Sequence, residues 1–184
     1  MLPHESSPYG ITTIFAYSDP VIRKAIWLLK YRGGTAVIKP LARAMHDRII
    51  EELSDTNELL LNGEQKILLV PVPLSKERQK ERGFNQAEVI AKAILGYDLG
   101  NSFELENSVL IKTRHTKSQV ETRNKTDRLH NLKGAFTINN PEKIKDRIII
   151  LLDDVTTTGA TIEECSRVLK RAKPRKIIKL ALAH

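Results

Sequence analysis

Residues 148–161, Ile-Ile-Ile-Leu-Leu-Asp-Asp-Val-Thr-Thr-Thr-Gly-Ala-Thr, constrain the fold more than any other stretch of this 184-residue chain. The run Ile148 to Leu152 is wholly apolar, which predicts a buried strand. It ends in two adjacent carboxylates, Asp153 and Asp154, followed by a hydroxyl-rich loop with one glycine and then a helical pattern. Carboxylates accept hydrogen bonds from neighbouring sugar hydroxyls. Backbone N–H groups where a loop opens a helix suit a phosphate. Both features sit at the carboxyl end of a strand, where open α/β sheets bind ligands. Together they describe a pocket for a ribose carrying a 5′-phosphate.

Other phosphate motifs are absent. No G-x-x-x-x-G-K-[ST] occurs, which argues against a P-loop NTPase, and no G-x-G-x-x-G, which removes the dinucleotide fingerprint. Phosphoacceptor domains also carry acid pairs at a strand end, but they give no reason for the threonine-rich loop.

The remaining pattern alternates between strands and helices. Strands are expected at 11–17, 66–72, near 108–112, near 135–138, at 147–152 and at 176–183. Helices are expected from Asp19-Pro20 to Gly33-Gly34, and over 38–53, 85–96 and 160–172. Val21, Ile22, Ala25, Ile26 and Leu29 form one face of the first helix. In the last, Ile162, Cys165, Val168, Leu169 and Ala172 form an inner stripe, while Glu163, Glu164, Arg167 and Lys170 face water. This alternation predicts an α/β fold of three layers, a mostly parallel central sheet with helices on both faces. The length suits a single domain over 1–184, in which about 1–60 packs on a core formed by about 65–184.

Composition narrows the classes. No run approaches the ~18–20 apolar residues of a membrane span, and the start has no basic-then-apolar leader. A single cysteine, Cys165, forms no internal disulfide and fits a reducing compartment, so a cytoplasmic protein without membrane insertion is expected. Its place on an apolar stripe makes it core filling. The net charge of +8 is concentrated. Residues 112–133 hold seven Lys/Arg against Glu121 and Asp127, and 170–179 hold six with no acid. Such clusters favour polyanions, either a diphosphate or a nucleic-acid backbone.

The segment 148–161 resembles the signature of type I phosphoribosyltransferases, which bind 5-phosphoribosyl 1-diphosphate. Residues 70–86 (Val-Pro-Val-Pro-Leu-Ser-Lys-Glu-Arg-Gln-Lys-Glu-Arg-Gly-Phe-Asn-Gln), the stretch with Thr116, Gln119, Arg128, Asn131 and Lys133-Gly-Ala-Phe136, and Leu29-Lys-Tyr-Arg-Gly-Gly34 narrow this further. Together they resemble the ComF family, the competence-associated branch of that fold, over about residues 15–184. Many relatives begin with a cysteine-rich zinc finger; with one cysteine, a Cys₄ site is impossible within this chain. Thr122 also stands where the family pattern leads one to expect a leucine.

The resemblance implies roles by position. Asp153 and Asp154, the catalytic pair, hold the ribose 2′- and 3′-hydroxyls, with Mg²⁺ nearby on the ligand and no direct protein–metal bond. Thr156, Thr157, Thr158, Gly159, Ala160 and Thr161 wrap the 5′-phosphate. A loop from Pro73 to Gln86 carries the diphosphate contacts Lys76, Arg78, Arg82, Gly83 and Asn85. A mobile basic loop offers Arg114, Lys117, Gln119, Arg123 and Arg128. The implied activity is pentosyl transfer, a glycosyltransferase reaction, in a protein linked to natural transformation and DNA uptake. Implied partners are 5-phosphoribosyl 1-diphosphate or a related sugar phosphate, single-stranded DNA and a competence helicase. The competing expectation is a non-catalytic single-stranded-DNA-binding factor that retains the sugar-phosphate pocket.

Overall fold

The computed structural model describes residues 10–31, 35–55, 65–113 and 132–184. Along the described chain run β1 (Ile11–Phe15), α1 (Pro20–Tyr31), α2 (Thr35–Asp55), β2 (Ile67–Pro71), α3 (Lys76–Arg82), α4 (Gln86–Leu95), β3 (Phe103–Leu105), β4 (Leu110–Lys112), β5 (Phe136–Ile138), β6 (Ile148–Val155), α5 (Ala160–Leu169) and β7 (Lys176–Ala183).

Five strands form one sheet in the order β1-β7-β6-β2-β3, and every pairing is parallel. Strands β4 and β5 make a separate antiparallel hairpin. The apolar run at 148–152 is continuous because β6 is central and covered twice. Ile148, Ile150 and Leu152 join one core cluster with Ile26 and Leu29 of α1, Met45 of α2 and Ile90 of α4. Ile149 and Leu151 join the opposite cluster with Ile162, Cys165 and Val168 of α5 and Phe136 of the hairpin. Burying each such side chain contributes roughly 1.5–3 kcal/mol, so both faces of β6 are strongly specified. The α/β architecture of three layers is the expected one.

Local signals set several boundaries. Asp19 Oδ1 accepts from Val21 N at 2.7 Å and caps α1 ahead of Pro20. Val21 itself is 73% exposed, so it leaves the inner face that its spacing predicted. Helix α2 starts earlier than expected, at Thr35, and runs through Pro40. Residues 73–86, expected as a loop, contain the short helix α3. Its sequence, Lys-Glu-Arg-Gln-Lys-Glu-Arg, has no apolar face, and it is held by its ends. Ser75 Oγ accepts from Arg78 N at 3.4 Å, and Gly83 closes it at φ 78°, a conformation glycine adopts without a Cβ penalty. Strand β6 also continues past Leu152 to Val155, with Asp153 paired to Ala181 and Val155 to Ala183.

Glu164 also departs from its expected place. It is 8% exposed instead of facing water. Its Oε1 accepts from Gly134 N at 2.9 Å, while Arg167 donates to both carboxylate oxygens at 2.7 Å. This carboxylate ties the β4–β5 hairpin to α5. Among the described residues, no helix is long and apolar enough to cross a membrane.

Candidate functional site

All five strands of the main sheet are parallel, so their carboxyl ends share one pole. Asp153 and Asp154 lie there on β6, and their backbone stays extended. Successive residues of a strand point to opposite faces. Asp154 follows Leu152 toward the α1 side, where Lys30 Nζ lies 3.1 Å from Asp154 Oδ2. Asp153 follows Leu151 toward the α5 side, within electrostatic reach of Cys165 and Lys112. The carboxylates leave the strand toward opposite faces yet stay close enough for their side chains to interact. Asp154 N donates to Asp153 Oδ1 at 2.9 Å and Val155 N to Asp154 Oδ1 at 2.7 Å, which fixes both rotamers.

The electrostatics follow. Burial, then the neighbouring charge of Asp154, pushes the Asp153 carboxyl well above its usual range, against the pull of the Asp154 N–H and Lys30. Lys30 compensates Asp154 only in part. The ammonium is close but poorly aligned, and Asp154 Oδ2 is buried without a hydrogen bond. A buried acceptor with spare capacity suits the hydroxyls of a sugar.

The hydroxyl-rich loop packs against the adjacent strand. Thr156 is buried and its N–H donates to Ala183 O at 2.9 Å. His184 Nε2 lies 2.8 Å from Thr157 O, so β7 holds the loop at two points. Gly159 takes φ 77° and precedes α5 with no side-chain cap on that helix. Ala160 N makes only a 3.4 Å contact to Thr158 Oγ1. The first-turn N–H groups of an uncapped helix are an anion site by default. A side chain at 159 is strained in the left-handed region by roughly 1–2 kcal/mol. Gly159→Ala is expected to lower affinity for ribose 5-phosphate about tenfold with a modest loss of thermal stability; unchanged calorimetric affinity contradicts a phosphate at this turn.

The basic candidates divide. Asn85, buried, is occupied as the cap of α4. Its Oδ1 accepts from Ala87 N at 3.1 Å and its Nδ2 donates to Val72 O at 3.0 Å. Arg82 donates to Gln86 Oε1 at 3.0 Å. Lys76 and Gly83 are exposed, and Arg78 is partly covered. Arg114, Lys117, Gln119, Arg123 and Arg128 lie outside the described residues. The hairpin that brackets them is defined by Lys112 opposite Phe136.

Sequence reasoning gave no individual site role to Lys30, Gln86 or His184, and it counted Lys112 only among the charges offered to a nucleic acid. Lys112 Nζ sits 5.4 Å from the Phe136 ring centroid, and burial, then Arg78, push its ammonium down. Gln86 is buried with Nε2 unpaired. Lys30 and Gln86 lie inside the stretches 29–34 and 70–86, but only tertiary approach shows what these four side chains meet. Among the described residues, no group of three or more His, Cys, Asp or Glu could hold a metal ion.

A model of the phosphoribosyl transferase domain family matches residues 80–184. Competence protein F of Haemophilus influenzae is 34% identical over 172 residues, spanning 92% of this chain and 70% of that protein. Competence protein ComFC of Bacillus subtilis is 29% identical over 157 residues, spanning 85% and 56%. The DNA utilization protein YhgH of Escherichia coli is 27% identical over 161 residues, spanning 88% and 66%. The chain thus covers less than two thirds of the last two proteins.

Proposed function

The chain belongs to the ComF family of phosphoribosyl transferase domain proteins, and on that premise we propose that its carboxyl pole binds 5-phosphoribosyl 1-diphosphate with Mg²⁺ in a role linked to DNA uptake. The observation that carries the proposal is the conjunction at one strand end of two carboxylates, one with an unsatisfied buried oxygen, and an uncapped helix start behind a glycine turn. Asp153 and Asp154 accept from the ribose hydroxyls. Thr157, Thr158 and the first N–H groups of α5 take the 5′-phosphate. Lys112, whose ammonium is pushed down by burial and then by nearby Arg78, joins Arg78 in supplying positive charge for a departing diphosphate. Asn85 and Gly83 shape that region through the α3–α4 connection.

The donor set fits a metal carried by its ligand. Two carboxylates at a strand end are too few for a protein cage, and Mg²⁺ keeps several waters and substrate oxygens. When bound it supplies charge compensation for the diphosphate. The names of the relatives, competence and DNA utilization proteins, support the DNA-linked half of the proposal.

Titration calorimetry with 5-phosphoribosyl 1-diphosphate tests it. Binding is expected to require Mg²⁺ and to be competed by ribose 5-phosphate. No heat with either ligand, with Mg²⁺ present, removes the sugar-phosphate assignment.

A further inference from the structure

The pole opposite the acid pair carries a charge pattern that the sugar-phosphate site does not use. The described residues that lead into the neighbouring central strands β7, β6 and β2 lie on that amino-terminal side. Hydrogen bonds from the backbone and from the Arg147 guanidinium clasp them together. Asp146 N donates to Lys173 O at 3.1 Å, Arg175 N to Arg147 O at 2.9 Å, and Arg147 NH2 to Lys66 O at 2.6 Å. Asp146 and Lys173 both adopt left-handed backbone, φ 58° and 54°, which makes the two turns tight. The basic run at 170–179 is therefore not a solvated helix face. It joins a second basic stretch, Lys143-Ile-Lys-Asp-Arg147, across adjacent strands.

Some cations there have partners. Lys143 pairs with Glu106 at 2.9 Å, Arg147 lies 3.4 Å from Glu104, and Lys66 donates to Asn101. Arg171 is within electrostatic reach of Glu164, which Arg167 already neutralises. The acids Glu142 and Asp146 are exposed on the same side. Lys145, Lys170, Arg171 and Lys173 are exposed and have no ion pair among the described residues. Among the described residues, none of the exposed large hydrophobics, Tyr17, Val21, Trp27, Tyr31, Leu99 and Ile111, belongs to the segments that lead into these strands. Unpaired like charges held together by a folded backbone repel one another, and a polyanion relieves that repulsion. With no apolar anchor among the described residues of this pole, a polynucleotide, which needs charge alone, fits them better than a membrane surface.

We propose that this amino-terminal pole is a docking surface for a polynucleotide strand, held by its phosphates through Lys145, Lys170, Arg171 and Lys173. Five residues of β6, from Ile148 to Leu152, separate it from the acid pair, a distance of roughly 17–20 Å. Strand and sugar phosphate therefore bind at once. The inference rests on the DNA-linked half of the proposed function and is independent of the pocket.

The test is fluorescence anisotropy with labelled single-stranded and duplex DNA across a salt series from about 50 to 200 mM. The variant carries K145Q, K170Q, R171Q and K173N, asparagine being chosen because it tolerates left-handed backbone. The salt slope is expected to fall by about 2–3.5, with the melting temperature and ribose 5-phosphate binding unchanged. A charge-matched control, R23Q, K24Q, K39Q and K80Q, should keep most of the slope. Equal loss in the control, an unchanged slope in the variant, or displacement of the strand by 5-phosphoribosyl 1-diphosphate overturns the proposal. So does retention of the protein on phosphatidylserine vesicles without DNA binding. If DNA binds as expected and the sugar phosphate does not, only the pocket assignment fails.

Discussion

Asp153→Asn is expected to weaken 5-phosphoribosyl 1-diphosphate binding by about 10–100-fold and, in the same protein, to raise the melting temperature. The two effects have one cause. Asp153 is a carboxylate kept in partial burial beside another carboxylate, so its ionised form is costly in the free protein. Asparagine has similar shape and carries no charge. It loses the strong acceptor that a ribose hydroxyl needs, and it also loses the repulsion. A gain of about 1 kcal/mol corresponds to roughly 2–4 °C for a chain of this size.

The pH dependence gives the sign independently. Because the folded-state pKa of Asp153 lies above the ordinary 3.8, the native protein holds a proton that the unfolded chain has released. The stability tied to this group is complete below the unfolded value and is lost as pH rises through the folded one. The wild-type melting temperature should therefore decline relative to Asp153→Asn across that window, with the full difference reached only above the folded-state value. Parallel curves at all pH values, or a variant less stable above that value, contradict the assignment of strain to this carboxylate.

The sequence made β6, α5 and β7 legible because their signals are local. An unbroken apolar run marks a strand covered on both faces, and an apolar stripe at helical spacing marks α5. Elements without such a signal were hidden. The helix α3 is charged throughout and depends on Ser75 and Gly83 for its ends. The short strand β3 is added at the sheet edge by pairing with β2. Glu164 has the spacing of a solvent-facing residue, and only the approach of the hairpin at Gly134 buries it. The site divides in the same way. Its acids and threonines form one contiguous segment, so a pattern can find them. Lys30 is more than a hundred residues distant in sequence and reaches Asp154 only because α1 crosses the end of β6.

That crossing leads to the second expectation. Lys30→Met should destabilise the free protein by about 1–2 kcal/mol near pH 8, and acidification should restore most of the loss. The ammonium lies 3.1 Å from Asp154 Oδ2, with side chains 20% and 16% exposed, so water replaces it poorly. Its misalignment keeps the effect below that of a fully bonded buried pair. Lys30 also lowers the pKa of Asp153, so its removal raises that carboxyl further and widens the pH range in which protonation is favoured. In that range the variant approaches the wild type. Millimolar Mg²⁺ should stabilise the variant more than the wild type, since an unpaired acid pair attracts a cation that the lysine otherwise excludes. Lys30→Arg keeps the charge and should retain the wild-type pH profile, which separates electrostatics from the packing of α1. Thermal melts of the three proteins at about pH 5 and pH 8, with and without Mg²⁺, decide the matter. An equal loss at both pH values, insensitive to Mg²⁺ and shared by the arginine variant, assigns Lys30 to helix packing and removes it from the charge balance of the site.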